Sequence, residues 1–79
     1  MEWLVYILKC SDDSFYVGFT SNLAKRLARH NARQVNYTSQ RLPIKVVTII
    51  CFSDKYKAID FEKYLKSGSG RAFMSRRLI

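Results

Sequence analysis

An α+β fold is what this sequence predicts: a small three-stranded, partly antiparallel sheet flanked by helices, in the order β-β-α-β-α-α. Three observations carry that expectation. Short apolar runs rich in Val, Ile and aromatic residues recur at 3–10, 14–19 and 44–52, and their length and composition suit strands better than helices. Segments with helical periodicity and cap residues follow the second and third runs. Hydrophobic residues make up 48% of the chain and aromatics 14%, which excludes a disordered polyion. Residues 1–79 are expected to form one domain, burying only about 60 to 65% of the surface its unfolded chain exposes.

The first strand, Trp3 to Cys10, is almost continuously apolar, as a strand covered on both faces must be. Ser11-Asp12-Asp13 breaks it with turn-forming side chains, and residues 14–19 resume the pattern, so 3–19 should be a β-hairpin. With an odd-numbered loop at Ser11 to Asp13, Leu8 faces Tyr16 and Tyr6 faces Gly18, which makes Tyr6 and Tyr16 diagonal neighbours on one sheet face. Gly18 then leaves a gap opposite Tyr6. A two-residue loop would separate the tyrosines.

Thr20-Ser21-Asn22 supplies N-cap candidates for a helix from Leu23 to about Arg33. Leu23, Ala24, Leu27 and Ala28 define its apolar arc, Arg26, Arg29 and Arg33 lie opposite, and His30 falls at the border one turn after Arg26. Residues 36–43 read as a polar loop with a basic tip at Arg41. The β-branched density of 44–52 suggests a third strand buried within the sheet. Ser53 or Asp54 caps a second helix running to Lys66 or Ser67, with Ala58, Phe61 and Leu65 as its buried stripe and Gly68 and Gly70 as terminators. Glu62 projects beside that stripe, where a carboxylate needs a partner; Lys66 at i+4 or a metal ion would serve. A last short helix, Ala72 to Leu78, is expected to close the core with Phe73 and Leu78.

Charge narrows the function. Fourteen Lys and Arg stand against six carboxylates, a net charge of +8, and no Asp or Glu lies between Asp13 and Asp54. Lys25, Arg26, Arg29, Arg33, Arg41 and Lys45 are unopposed over that span, and Arg71, Arg76 and Arg77 extend the basic surface near the C-terminus. The natural partners of such a field are polyanions, nucleic acid first. No apolar run is long enough to span a membrane and no signal peptide is evident, so the expectation is a soluble cytoplasmic protein. Cys10 and Cys51, each closing an apolar run, read as free thiols packed as small hydrophobes. With one histidine they cannot supply a four-ligand zinc site.

The order Leu4-Val5-Tyr6, Tyr16-Val17-Gly18, Arg26, His30 and a later helical Glu62 resembles the catalytic domain of the GIY-YIG nucleases, and is similar above all to the small stand-alone bacterial members. The segment Glu62-Lys63-Tyr64-Leu65-Lys66-Ser67-Gly68-Ser69-Gly70-Arg71-Ala72-Phe73 carries the likeness to the end of the chain. Leu4 and Val5 stand where the family name has Gly and Ile. Some members carry an Asn after the glutamate; none follows Asn36 here, and Ser67 or Ser69 falls near that region.

The resemblance implies a metal-dependent endonuclease that hydrolyses phosphodiester bonds in DNA, double-stranded or branched, in DNA repair or recombination. Tyr6 and Tyr16 correspond to the motif tyrosines, Arg26 to the essential arginine, His30 to the basic residue one turn later, and Glu62 to the ligand of Mg²⁺ or Mn²⁺. Tyr6 is the favoured base, helped by His30, with neighbouring cations expected to lower its pKa from about 10. Gly18 is structural within the site. Lys25, Arg29, Arg33, Arg41, Arg71, Arg76 and Arg77 are the expected nucleic-acid contacts. So small a chain leaves little surface for reading bases, so specificity should be low, directed by DNA structure, or supplied by an accessory protein or homodimer. The competing expectation is a nucleic-acid-binding domain that keeps the scaffold without cleaving, or a cleavage module that needs a partner.

Overall fold

The computed structural model describes residues 2–79 as β1 (Trp3–Lys9), β2 (Phe15–Thr20), α1 (Leu23–Asn31), α2 (Asn36–Ser39), β3 (Lys45–Phe52), α3 (Lys55–Leu65) and α4 (Gly68–Arg77). The expected order holds, with α2 added inside the segment read as a loop. Both strand pairings are antiparallel, in the order β2-β1-β3.

The hairpin has the odd-numbered loop. Asp13 turns left-handed at φ 66°, Cys10 N–H donates to the Ser14 carbonyl at 2.8 Å, and Asp12 accepts from Ser14 N–H at 3.1 Å. Such a short polar side chain tolerates the left-handed region better than most. The register follows: Leu8 pairs with Tyr16 and Tyr6 with Gly18.

Strand alternation then sorts the core. Val5, Ile7 and Val17 point to one face, where Ala58, Leu65 and Met74 of α3 and α4 cover them; Tyr6, Leu8, Tyr16 and Gly18 point to the other, where α1 and α2 lie. The central β1 is buried on both sides, with Val5, Tyr6, Ile7 and Leu8 all fully inaccessible. β3, expected in a buried position, is instead an edge strand. Its two faces fare differently, because α1 stands over β1 and β2 and leaves Ile49 49% exposed and the Cys51 thiol open to solvent. Cys10 is buried and both thiols are free.

Caps place the helices. Asn22 accepts from Lys25 N–H at 3.0 Å to start α1, and Asp54 accepts from Tyr56 and Lys57 N–H to start α3. α1 stops at Asn31, short of the expected Arg33, because Arg33 adopts φ 62° and turns the chain back. The last helix starts earlier than expected. Ser67 accepts from Gly70 N–H at 3.1 Å and caps α4, so Gly68 and Gly70 open this helix rather than merely ending α3.

Gly70 is buried against the α3 C-terminus, where a Cβ would overlap the Tyr64 carbonyl oxygen. Gly70→Ala should therefore force the two helices apart and lower stability by about 2 kcal/mol, read as a reduced urea midpoint at unchanged slope. With Gly70 against α3, Met74 and Leu78 follow at i+4 and i+8 and turn inward. Phe73, expected in the core, is left 37% exposed, its ring against Phe61 and Tyr64.

Candidate active site

Tyr6 reaches across Gly18, and a Cβ at Gly18 would overlap the Tyr6 ring and hydroxyl. The missing side chain thus opens a path for the phenol to α1, where its hydroxyl meets His30 Nε2 at 2.9 Å. His30 is completely buried. The expected placement at the border of the helix is wrong: His30, Leu23, Leu27 and Arg26 form the inward side of α1, while Ala24 and Ala28 are exposed. Tyr16 joins the cluster, its ring 6.2 Å from Tyr6 and 4.9 Å from His30 between centroids.

α2 supplies two further residues that sequence reading missed. Thr38, fully buried, holds His30 Nδ1 at 2.7 Å, and Tyr37 stands with its ring 5.8 Å from Tyr16. A helix of four residues has too short a period to stand out, so nothing in the polar segment marked them. Ser67, near the region of the missing Asn, is committed to capping: its hydroxyl also donates to the Tyr64 carbonyl at 2.6 Å.

Arg26 is likewise drawn inward from the polar face on which it was expected. Burial opposes its charged form, and the Tyr16 and Tyr6 hydroxyls beside it more than offset that, so it is held firmly protonated. Its Nε is buried with no protein acceptor among the described residues, leaving a strong donor uncommitted. The Tyr6 hydroxyl departs from expectation. Burial, reinforced by Tyr16, pushes its pKa up to about 12 even though Arg26 pulls the other way; desolvation of the phenolate outweighs the cation.

Burial also lowers the pKa of His30, and Arg26 and Arg29 act in the same direction. The native imidazole is therefore neutral at pH 7, able to accept a proton. Unfolded histidine titrates near 6.5, so between that value and the lower native pKa the unfolded chain binds more protons. Stability is full above about pH 6.5 and falls as pH drops toward the native pKa. Urea unfolding at pH 7.5 and at pH 5 should show this loss in the wild type and a smaller one in His30→Gln.

The cluster opens onto a groove of about 650 Å³ along the free edge of β2, lined on one side by Tyr16 and Tyr37 and on the other by Leu65, Lys66, Arg71 and Met74. Glu62 stands one turn before Lys66 on α3 and accepts from its Nζ at 2.9 Å. This carboxylate is 20% exposed and the lysine 52%, a pair worth no more than about 0.5 kcal/mol. Among the described residues no group of three or more His, Cys, Asp and Glu comes together. A dedicated protein cage for a metal is therefore not what these residues offer. A single carboxylate such as Glu62 does suit a hydrated divalent ion, which keeps several waters and borrows phosphate oxygens.

The basic residues divide. Lys25, Arg26 and Arg29 line a second, smaller hollow with Thr20, Ser21 and Asn22. Arg71 faces the groove, and Arg76 and Arg77 are exposed near the end of α4. Arg33 and Arg41, by contrast, are engaged by the protein itself. Arg33 Nη1 donates to the Ser39 carbonyl, while Arg41 pairs with Asp12 at 3.0 Å and stacks on Tyr37 at 4.1 Å.

Two hairpin phenols with a histidine and an arginine from the next helix, on this order of strands and helices, define a GIY-YIG nuclease-type domain. The family described as the GIY-YIG catalytic domain matches residues 2–76, and the chain belongs to it. Within the family it is similar to the UPF0213 proteins. The UPF0213 protein YsiG of Lactococcus lactis subsp. lactis is 41% identical over 66 residues, 82% of this chain. A UPF0213 protein of Bacillus licheniformis is 45% identical over 62 residues, 77% of this chain. The chain spans 64% of the length of each of these relatives. The solution NMR structure of the UPF0213 protein BH0048 from Bacillus halodurans superposes with a TM-score of 0.62 at 30% identity, covering 96% of this chain and 84% of that one. No helix among the described residues is long and apolar enough to cross a membrane.

Proposed function

We propose that this chain is a metal-dependent endonuclease that hydrolyses phosphodiester bonds in DNA, with Tyr6, Tyr16, Arg26, His30 and Glu62 as its catalytic residues. The observation that carries this reading is the Tyr6–His30 hydrogen bond with the Arg26 guanidinium beside both phenols. Tyr6 is too weak an acid to work as a phenolate near neutral pH. It acts instead as a relay: its oxygen takes a proton from the attacking water as its own proton passes to His30 Nε2. Tyr16 orients the water or a phosphate oxygen. Arg26 offers planar donors to the scissile phosphate and stabilises the charge that builds there.

Glu62 would hold Mg²⁺ or Mn²⁺, exchanging its Lys66 partner for the ion. Bound there, the metal supplies charge neutralisation at the phosphate. Lys25, Arg29, Arg71, Arg76 and Arg77 contribute salt-dependent attraction to the DNA backbone. So small a domain leaves little surface for base-edge readout over a long site, so the substrate is recognised by structure, or with an accessory protein or a second copy. The cytoplasm is the proposed setting.

The Glu62–Lys66 pair favours a second reading, a nucleic-acid-binding domain that does not cleave by itself. Plasmid, branched, nicked and single-stranded DNA incubated with the protein and Mg²⁺ or Mn²⁺ separates the two. Cleavage that Glu62→Ala lowers by about 10²-fold or more, with salt-sensitive binding retained, supports the nuclease. Binding without cleavage by the wild type supports the alternative.

A further inference from the structure

We infer that Thr38 is a positioning residue for the proposed reaction: by accepting from His30 Nδ1–H it fixes the tautomer in which Nε2 is bare and can take the Tyr6 proton. The inference rests on the nuclease reading for its catalytic meaning and on the hydrogen bonds alone for its structural one.

His30 has one partner on each ring nitrogen, Tyr6 at Nε2 and Thr38 at Nδ1. A neutral imidazole donates from one nitrogen and accepts at the other. Thr38 decides which. Its hydroxyl lies 3.4 Å from the Val35 carbonyl oxygen one turn back; with its single proton directed there, the oxygen offers a lone pair to His30 and Nδ1 carries the hydrogen. Nε2 is then the acceptor and Tyr6 the donor.

The opposite tautomer would make Thr38 donate to Nδ1 and abandon Val35, and would turn the Tyr6 proton away from His30 toward the Arg26 guanidinium, which has only donors. Tyr16 can both donate and accept, so it does not choose a direction. In the favoured arrangement each link donates to the next, from Tyr6 to His30, Thr38 and Val35. Because the Thr38 and His30 side chains are fully inaccessible, water cannot substitute for a missing partner. The charged and titratable groups facing the ring are Tyr6, Tyr16, Arg26 and Arg29, and none of these touches Nδ1.

The chain has a single histidine, so a long-range ¹H–¹⁵N correlation spectrum at pH 8 reports this tautomer without ambiguity. The Nδ1–H form is expected in the wild type and also in Tyr6→Phe, since Thr38 and not Tyr6 sets it. Thr38→Ser should keep it, and Thr38→Val should convert it to Nε2–H. An Nε2–H wild type, or a folded Thr38→Val that remains Nδ1–H, overturns the assignment. Should Thr38→Val not fold, the wild-type and Tyr6→Phe spectra decide alone, the Nε2–H form in either being fatal. In cleavage assays Thr38→Val should lower kcat by about tenfold or more at unchanged KM, with Thr38→Ser restoring it. A wild type that shows the Nδ1–H form but no cleavage defeats the nuclease reading while the tautomer assignment stands.

Discussion

Replacing Arg26 by alanine is expected to lower DNA cleavage by about 10³-fold while leaving the fold intact. The side chain is only partly buried and stands between the phenol cluster and the hollow formed with Lys25 and Arg29. Truncation removes a guanidinium whose buried Nε has no partner among the described residues, so few internal hydrogen bonds are lost with it. What is lost is the donor fork for the phosphate and the cation beside the two hydroxyls. Arg26→Lys should recover little of the rate, because a point charge cannot offer the planar pair of donors. Single-turnover cleavage of the best DNA substrate, with circular dichroism as the check on folding, measures the effect. A fall of less than about tenfold in Arg26→Ala would assign this residue to diffuse attraction of the backbone instead.

Tyr6→Phe should cost about 10²- to 10³-fold in the same assay, the range of positioned proton transfer. The ring still fills the space over Gly18, so packing survives, while His30 Nε2 loses its partner at 2.9 Å. The pH dependence adds a second check. Cleavage should hold through the ordinary histidine range and fall only at more acid pH, where the depressed pKa of the native His30 is passed and the protonated ring can no longer accept. It should show no ionisation step for Tyr6 near pH 10, because that phenol titrates at about 12. A rate that rises tenfold per pH unit up to pH 10 and then levels would mean that a tyrosinate is the base. Gly18→Ala supplies the geometric counterpart, because its methyl group would displace the phenol that the hydroxyl depends on.

Much of this site is legible in the sequence, and for identifiable reasons. Strand side chains alternate strictly, so once Ser11 to Asp13 is an odd-numbered loop, Tyr6 must face Gly18 and share a side with Tyr16, as the register shows. Capping is equally local: Asn22 and Asp54 bind backbone N–H groups within their own first turns. Helix orientation is not local. α1 has two ways to present itself, alanine and leucine inward or leucine, arginine and histidine inward, and periodicity favoured the first. The second prevails because Gly18 lets Tyr6 through to meet His30, and because Thr38 satisfies the other ring nitrogen. A buried imidazole with both nitrogens bonded no longer bears the cost that placed it at the border.

The same distinction applies at the third strand. Its β-branched composition is sufficient for a strand, yet which strands flank it is a matter of topology, and β3 is an edge. The sequence by itself determined the strands, the hairpin register and the residue types gathered near Gly18, because each rests on interactions between near neighbours in the chain. Only the tertiary structure decided that His30 is buried, that Thr38 holds it, and that Arg26 turns inward beside the two phenols. Those outcomes depend on how α1 and α2 dock on the sheet, and docking is settled by contacts between segments far apart in the chain.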